Sequence, residues 1–210
     1  MFFYFVSLLF LCLGCSDTLI SKVEDRKPQI VVHPKEIDFG HLVSGNESGA
    51  QNFSIINVGD DTLNLATIEL NDLSTRYEIQ HEDISTLEPG ELLDVFISYV
   101  PVTYETNTAS IDIASNDENF PLIEVNINGF GDAPVITLYP EGHDFGTISM
   151  GCDNELRLTI GNEGNLPLVI NDVQQMVTQP ADIIMEFGSL GEFPWTVEPG
   201  NELDIITRYT

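Results

Sequence analysis

Cysteine sulfur, imidazole and carboxylate are the groups in this 210-residue chain equipped to do chemistry, and their spacing decides which chemistry. Its thiols are Cys12, Cys15 and Cys152. A reactive or metal-binding Cys needs a partnered base or further ligands at set intervals, and Cys152, the one thiol in the body of the chain, has neither in its sequence neighbourhood. It is either buried and inert or the partner of a cysteine outside this chain. The histidines are His33, His41, His81 and His143, and no two stand at the His-x-x-x-His interval that sets imidazoles on one helix face. They read as surface or strand-edge residues. The 34 Asp and Glu residues leave two roles to weigh. Hard oxygen donors gather at Asp60-Asp61, Asn116-Asp117-Glu118 and Asp153-Asn154-Glu155. None follows the interval of a calcium loop, and solvated turns that keep the chain soluble account for them. Paired acids for glycoside hydrolysis need a cleft to set their separation, and abundance does not locate one. The expectation is no catalytic residue, no cofactor and no metal.

Charge narrows the partners. Seven Lys and Arg against 34 acids give a formal charge of −27. Affinity for nucleic acid comes from bases neutralising phosphates, so a body this acidic excludes that partner. A hydrophobic fraction of 42% and a mean hydropathy of +0.04 supply enough apolar surface to offset chain entropy, which argues against disorder.

The N-terminus carries an address. Phe2 to Leu13 is a nearly unbroken apolar run. It falls short of the about 20 residues that span a bilayer and reads as a signal-peptide core. The sequence Leu13-Gly14-Cys15 resembles a bacterial lipoprotein box. In that family cleavage falls before the Cys, whose sulfur is then acylated. The resemblance implies a signal peptide at 1–14, lipidation of Cys15, and a membrane reached through the N-terminal lipid, in a bacterial periplasm, outer membrane or cell surface. The alternative is an ordinary secretory signal with an incidental Cys. A tether, 15–29, follows. In it Lys22, Arg26 and Lys27 balance Asp17, Glu24 and Asp25, so the negative charge sits in the body beyond. A neutral tether with an acidic body suits a domain held off an anionic surface; a plain solvated linker suits it equally.

The elements behind these residues announce themselves by repetition. Asp38-Phe39-Gly40 recurs as Asp144-Phe145-Gly146 at an offset of 106, and Asn57-Val58-Gly59 recurs as Asn162-Glu163-Gly164 at 105. Glu88-Pro89-Gly90 recurs as Glu198-Pro199-Gly200, and Leu93 to Tyr99 as Leu203 to Tyr209, both at 110. The growing offset places an insertion between Gly164 and Glu198, in the loop from Gly188 to Pro194. Leu93, Val95, Ile97 and Tyr99 alternate with polar or exposed-type positions, as do Ile123, Val125 and Ile127, and Leu156, Leu158 and Ile160. Period two with one polar face predicts antiparallel strands packed on a single side, and units of about 100 residues are the size of an immunoglobulin-like sandwich.

Pro34 to Gly40, Gly45, the Asn-x-Gly turn, Pro89-Gly90, Tyr99-Val100-Pro101 and the closing run Ile123 to Gly131 together resemble the ASH or Hydin-like immunoglobulin domains, called choice-of-anchor D in bacteria. The Asp-Phe-Gly triplets also occur in kinases, but here without a Gly-rich or catalytic loop. The resemblance covers 30 to 210 and implies a seven- to nine-stranded sandwich used as a spacer or binding module. The expected fold is all-β: tandem immunoglobulin-like β-sandwiches at 30–132 and 133–210, the second incomplete at its C-terminus. From this follows an expected fragment of a longer repeat protein. Its function is a non-catalytic, envelope-anchored structural or adhesive module with an unidentified protein partner. The alternatives are the accessory front of a larger secreted enzyme, or a cilium-type scaffold if the signal is false.

Overall fold

The computed structural model describes residues 26–144, 146–147, 149, 152, 154–174, 183–187 and 190–209. The expected signal at 1–14, Cys15 and most of the tether lie outside the described residues, as do Phe145 and Gly188.

Every element among the described residues is a strand or a turn, as the period-two alternation requires. The first region runs β1 (Ile30–His33), β2 (Glu36–Val43), β3 (Gln51–Asn57), β4 (Leu63–Asn71), β5 (Tyr77–His81), β6 (Thr86–Leu87), β7 (Leu92–Tyr99), β8 (Glu105–Ser115) and β9 (Leu122–Asp132). Four strands form one sheet in the order β1-β3-β7-β5, and five form the other in the order β2-β9-β8-β4-β6. Phe53, Ile55, Val95, Ile97 and Tyr99 from the first sheet meet Leu63, Ile111, Ile113, Val125 and Ile127 from the second in one core, all fully buried. This is a β-sandwich of the immunoglobulin-like class.

One pairing departs from the antiparallel expectation. β2 runs parallel to β9, with Glu36 opposite Asn126 and Asp38 opposite Asn128. After β1 the chain passes through Pro34, which has no N–H to give a ladder, and crosses to the other sheet without reversing. A bulge between Asp38 and His41 then bends β2. There Gly40 takes φ +63°, and its N–H donates to Asp38 Oδ1 at 2.8 Å. The Asp-Phe-Gly triplet is thus a turn inside a strand. Gly146 repeats it with φ +65° and a 2.8 Å bond to Asp144.

The second region runs β10 (Ile136–Tyr139), β11 (Asn154–Asn162), β12 (Leu168–Ile170), β13 (Ile183–Glu186), β14 (Trp195–Val197) and β15 (Glu202–Tyr209). Its larger sheet, β10-β11-β15-β13, repeats the order β1-β3-β7-β5, and the register repeats with it. Ile30 stands opposite Asn57 as Ile136 stands opposite Asn162, and Tyr77 faces Tyr99 as Ile183 faces Tyr209. β12 and β14 pair as β4 and β6 do. Ile183 sits 106 residues after Tyr77 and Val197 sits 110 after Leu87, so the insertion falls between them, where the sequence placed it. A separate, smaller core joins Ile160, Ile170, Trp195, Val197 and Ile205. The described residues hold no counterpart of β8 and β9 in this region.

Candidate functional site

The residues that set the geometry are a buried asparagine and its surroundings, present in both regions. Asn57 is fully buried at the end of β3. Its Nδ2 donates to the carbonyls of Asp61 at 2.8 Å and Leu87 at 2.9 Å, while Oδ1 accepts from the N–H groups of Gly59 at 3.0 Å and Gln29 at 3.4 Å. Asn162 does the same with Leu166 and Val197 at 2.8 and 2.9 Å, and with Gly164 and Val135 at 3.0 and 3.1 Å. A buried amide must satisfy donors and acceptors together, and here all four bonds are made. The glycine two residues on is required by space. A Cβ at Gly59 would overlap the backbone of Lys27 and Gln29, and one at Gly164 that of Ala133 and Val135.

The segment entering each region is clasped by this turn. Lys27 N–H donates to Asp60 Oδ1 at 2.7 Å and its carbonyl accepts from Asp60 N–H at 3.1 Å. Ala133 makes both bonds with Asn165, each at 3.2 Å. The last residues read as tether, Lys27 to Gln29, are therefore bonded into the first region. At the junction, Asp132 Oδ1 lies 2.8 Å from His41 Nδ1 and 2.6 Å from Asn165 Nδ2. Those two hydrogen bonds hold its carboxyl below the ordinary carboxylate range.

Other acids staple the backbone. Burial opposes ionisation of Asp117, but N–H bonds from Ile30, Asn119 and Phe120 overcome it and lower its pKa. At Asp72 burial again opposes, and the Ser74 hydroxyl with the N–H groups of Tyr77, Arg76 and Ser74 win. Two stacked tyrosines, Tyr77 and Tyr99, sit 4.8 Å apart and donate to the carbonyl and the side-chain oxygen of buried Asn107, each at 2.8 Å. Burial first, then neighbouring charges, push the Tyr99 phenol up to about 12 and Tyr77 higher still.

The residues singled out for chemistry are not brought together. His33 lies exposed on β1, His41 on β2 at the junction, His81 bonds the adjacent Glu82 carbonyl, and His143 is exposed. Asp60, Asp61, Asn116 and Asp117 spend their side chains on the backbone N–H groups of Lys27, Thr62, Asn64 and Asn119. Among the described residues no three His, Cys, Asp or Glu side chains converge as metal ligands would. Cys152 is exposed, which removes the buried, inert alternative. Cys15 and Asp153 lie outside the described residues.

Sequence reasoning passed over a groove of about 1000 Å³ on the outer face of the five-stranded sheet. Period two turns Thr106, Thr108, Ser110, Asn126 and Asn128 outward, opposite buried Ile111, Val125 and Ile127. Register then aligns them in rows: Glu36, Asn126, Ser110 and Asn71 across four strands, then Asn128 beside Thr108. Beyond Asn71 β4 ends, and the loop carrying Ser74 and Arg76 walls the groove over the start of β8. Arg76 Nε is buried there without a hydrogen-bond partner. Glu105 lies on the same wall, its carboxyl lowered by bonds from Thr103 and Asn107 and by the Arg76 charge. The alternation signalled the outward residues; the Arg76 wall depends on a loop contact that no local pattern announces.

Residues 28–129 match the family described as HYDIN/CFA65/VesB-like, Ig-like domain. The matched residues are those of the first region, which is similar to that immunoglobulin-like family. Solved structures similar in fold include the ASH/PapD-like domain 7 of human CEP192, 15% identical with TM-score 0.39, covering 61% of this chain and 96% of that one. A protein of unknown function from Porphyromonas gingivalis W83 is 12% identical with TM-score 0.37, covering 86% and 82%. The VesB protease of Vibrio cholerae is 13% identical with TM-score 0.40, covering 51% of this chain but 32% of VesB. No curated protein matches the chain.

Proposed function

We propose that this chain is a non-catalytic module of immunoglobulin-like repeats, anchored to a bacterial envelope through a lipid on Cys15 and serving a structural or protein-binding role. The observation that carries the non-catalytic part is the fate of the buried polar groups. Asn57, Asn107, Asp117, Asn162 and Thr207 all bond to backbone or to tyrosines of the frame. Polar groups spent on rigidity are not free to move protons or hold a reacting atom. The first region's similarity to the HYDIN/CFA65/VesB-like family supports the module, and the apolar run ending at Leu13-Gly14-Cys15 supports the anchor. Two or more acyl chains on such a cysteine anchor a protein stably.

Mass spectrometry of the mature N-terminus tests the anchor. Expression in a bacterium is expected to give a chain beginning at an acylated Cys15. An N-terminus retaining residues 1–14, or a free Cys15 thiol, overturns it. A second reading, the accessory region of a larger secreted enzyme, draws support from the VesB named in the family description. The downstream reading frame separates the two: further repeats favour the module, a catalytic domain the enzyme.

A further inference from the structure

Of the residues lining the groove over β8 and β9, Asn107 is tied to the frame through Tyr77 and Tyr99, while the side chains of Asn126, Asn128, Thr108 and Ser110 are not, and their chemistry is specific enough to name a ligand. We propose that the groove binds an uncharged oligosaccharide, a role independent of the anchor.

Amides and hydroxyls dominate its floor. The Nδ2 of Asn71 already donates to Asp112, while Asn126, Asn128, Thr108 and Ser110 each donate and accept, as every sugar hydroxyl does. They stand in register one strand apart, about 4.8 Å, and a pyranose unit spans about one such step. Arg76 on the wall holds a buried Nε–H with no partner, and Glu105 lines the same groove. A guanidinium and a carboxylate lining one groove can address different hydroxyls of one chain, one as acceptor and one as donor, by charge-assisted bonds. The row after Asn128 is aromatic. His41, Phe130 and Thr106 are in register, with Phe130 4.7 Å from His41 and 5.2 Å from Tyr104 in an edge contact. Tyr104 is 39% exposed, so a ring surface lies beyond Thr106, outside the groove lining, where the C–H face of a longer sugar chain could rest.

Charge and shape remove the competitors. Glu36, Glu105 and Glu124 outnumber Arg76 around the groove, and the −27 of the whole chain repels anionic polymers. A bound peptide strand needs apolar pockets for alternate side chains, and this lining is mainly amide, hydroxyl and charged, with Leu73, Ala109 and Ile127 its apolar members. A volume of about 1000 Å³, open along its length, admits several sugar units of a passing chain.

Affinity electrophoresis of the full chain, through gels containing hydroxyethylcellulose, galactomannan, laminarin or soluble starch, tests this. Isothermal titration with the hexasaccharide of any retarding polymer follows. At least one polymer should retard the protein. Asn126→Ala with Asn128→Ala, and separately Arg76→Met, should weaken hexasaccharide binding tenfold or more at unchanged Tm. Phe96→Ala, on the opposite sheet, should leave it intact. The proposal fails if none of the four polymers retards the chain, or if the groove variants bind as well as the parent. It fails equally if oligolysine, and no glycan, titrates into the groove.

Discussion

The two regions share a frame and differ in what covers it. Ile30 and Val32 on β1 are each 3% exposed, while Ile136 and Leu138, at the same register on β10, are 61% and 46% exposed. Yet Asn57 and Asn162 make the same four bonds, and Gly90 and Gly200 donate to their carbonyls at 2.8 Å alike. The difference separates two causes of structure. The frame rests on a few recurring residues: a buried amide, a close-packed glycine and a Pro-Gly turn appear in both regions. Burial is not local, because an inward-facing side chain is covered only when a second sheet lies opposite. In the first region β8 and β9 supply that sheet, and the described residues of the second hold no equivalent.

The sharpest test of a common frame is to remove it from each region in turn. Asn57→Ala strands the Leu87 and Asp61 carbonyls and the Gly59 N–H, each costing about 1–3 kcal/mol when buried. The first region should lose about 4 kcal/mol in chemical denaturation followed by near-ultraviolet circular dichroism. Asn162→Ala should cost the second region a similar amount. The single tryptophan, Trp195, reports that transition by fluorescence. A more than twofold disparity would mean that the frames are alike in shape only.

Burial should separate the regions where the frame does not. Ile30→Ala empties a packed site and should cost about 2–5 kcal/mol. Ile136→Ala removes a side chain already in water and should cost under about 1 kcal/mol. Equal costs would show that β10 is covered in solution.

The smallest effect expected is that of high pH. Burial raises the phenols of Tyr77 and Tyr99, the latter to about 12 against an ordinary 10.0, so the folded first region keeps protons that the unfolded chain releases. Their contribution is full below pH 10.0 and is lost as pH rises toward about 12. In the second region Ile183 takes the position of Tyr77. Denaturation midpoints measured from about pH 9 to about 12, on either side of the ordinary tyrosine pKa of about 10, should fall more steeply for the first region. Tyr77→Phe should flatten that fall; an unchanged slope would place the pH response elsewhere.

Much of this was legible in the residues. Alternation at Leu93 to Tyr99 and Ile123 to Ile127 marked strands whose inward members are buried, because a pleat puts alternate side chains on one face. The Asn-x-Gly and Pro-Gly turns were visible for the same local reason. The parallel pairing of β2 with β9 was not, since pairing direction depends on which sheet the chain joins after Pro34. Nor was the Arg76 wall or the Asp132 junction. Both join residues far apart in sequence, Asp132 reaching His41 at a separation of 91. The acid-rich turns read as solvated, and several proved to be backbone staples, because an exposed carboxylate and a capping one share the same letters.

One consequence follows from the clasp on Ala133 to Val135. These three residues link β9 to β10, and the outer two are hydrogen-bonded to the turn at Asn162, Glu163 and Asn165. Such a joint has almost no spare length. Stretched along its backbone, the molecule would transmit tension straight into those bonds instead of uncoiling a loop, so a string of such units would behave under load as a stiff cable rather than as beads on a thread.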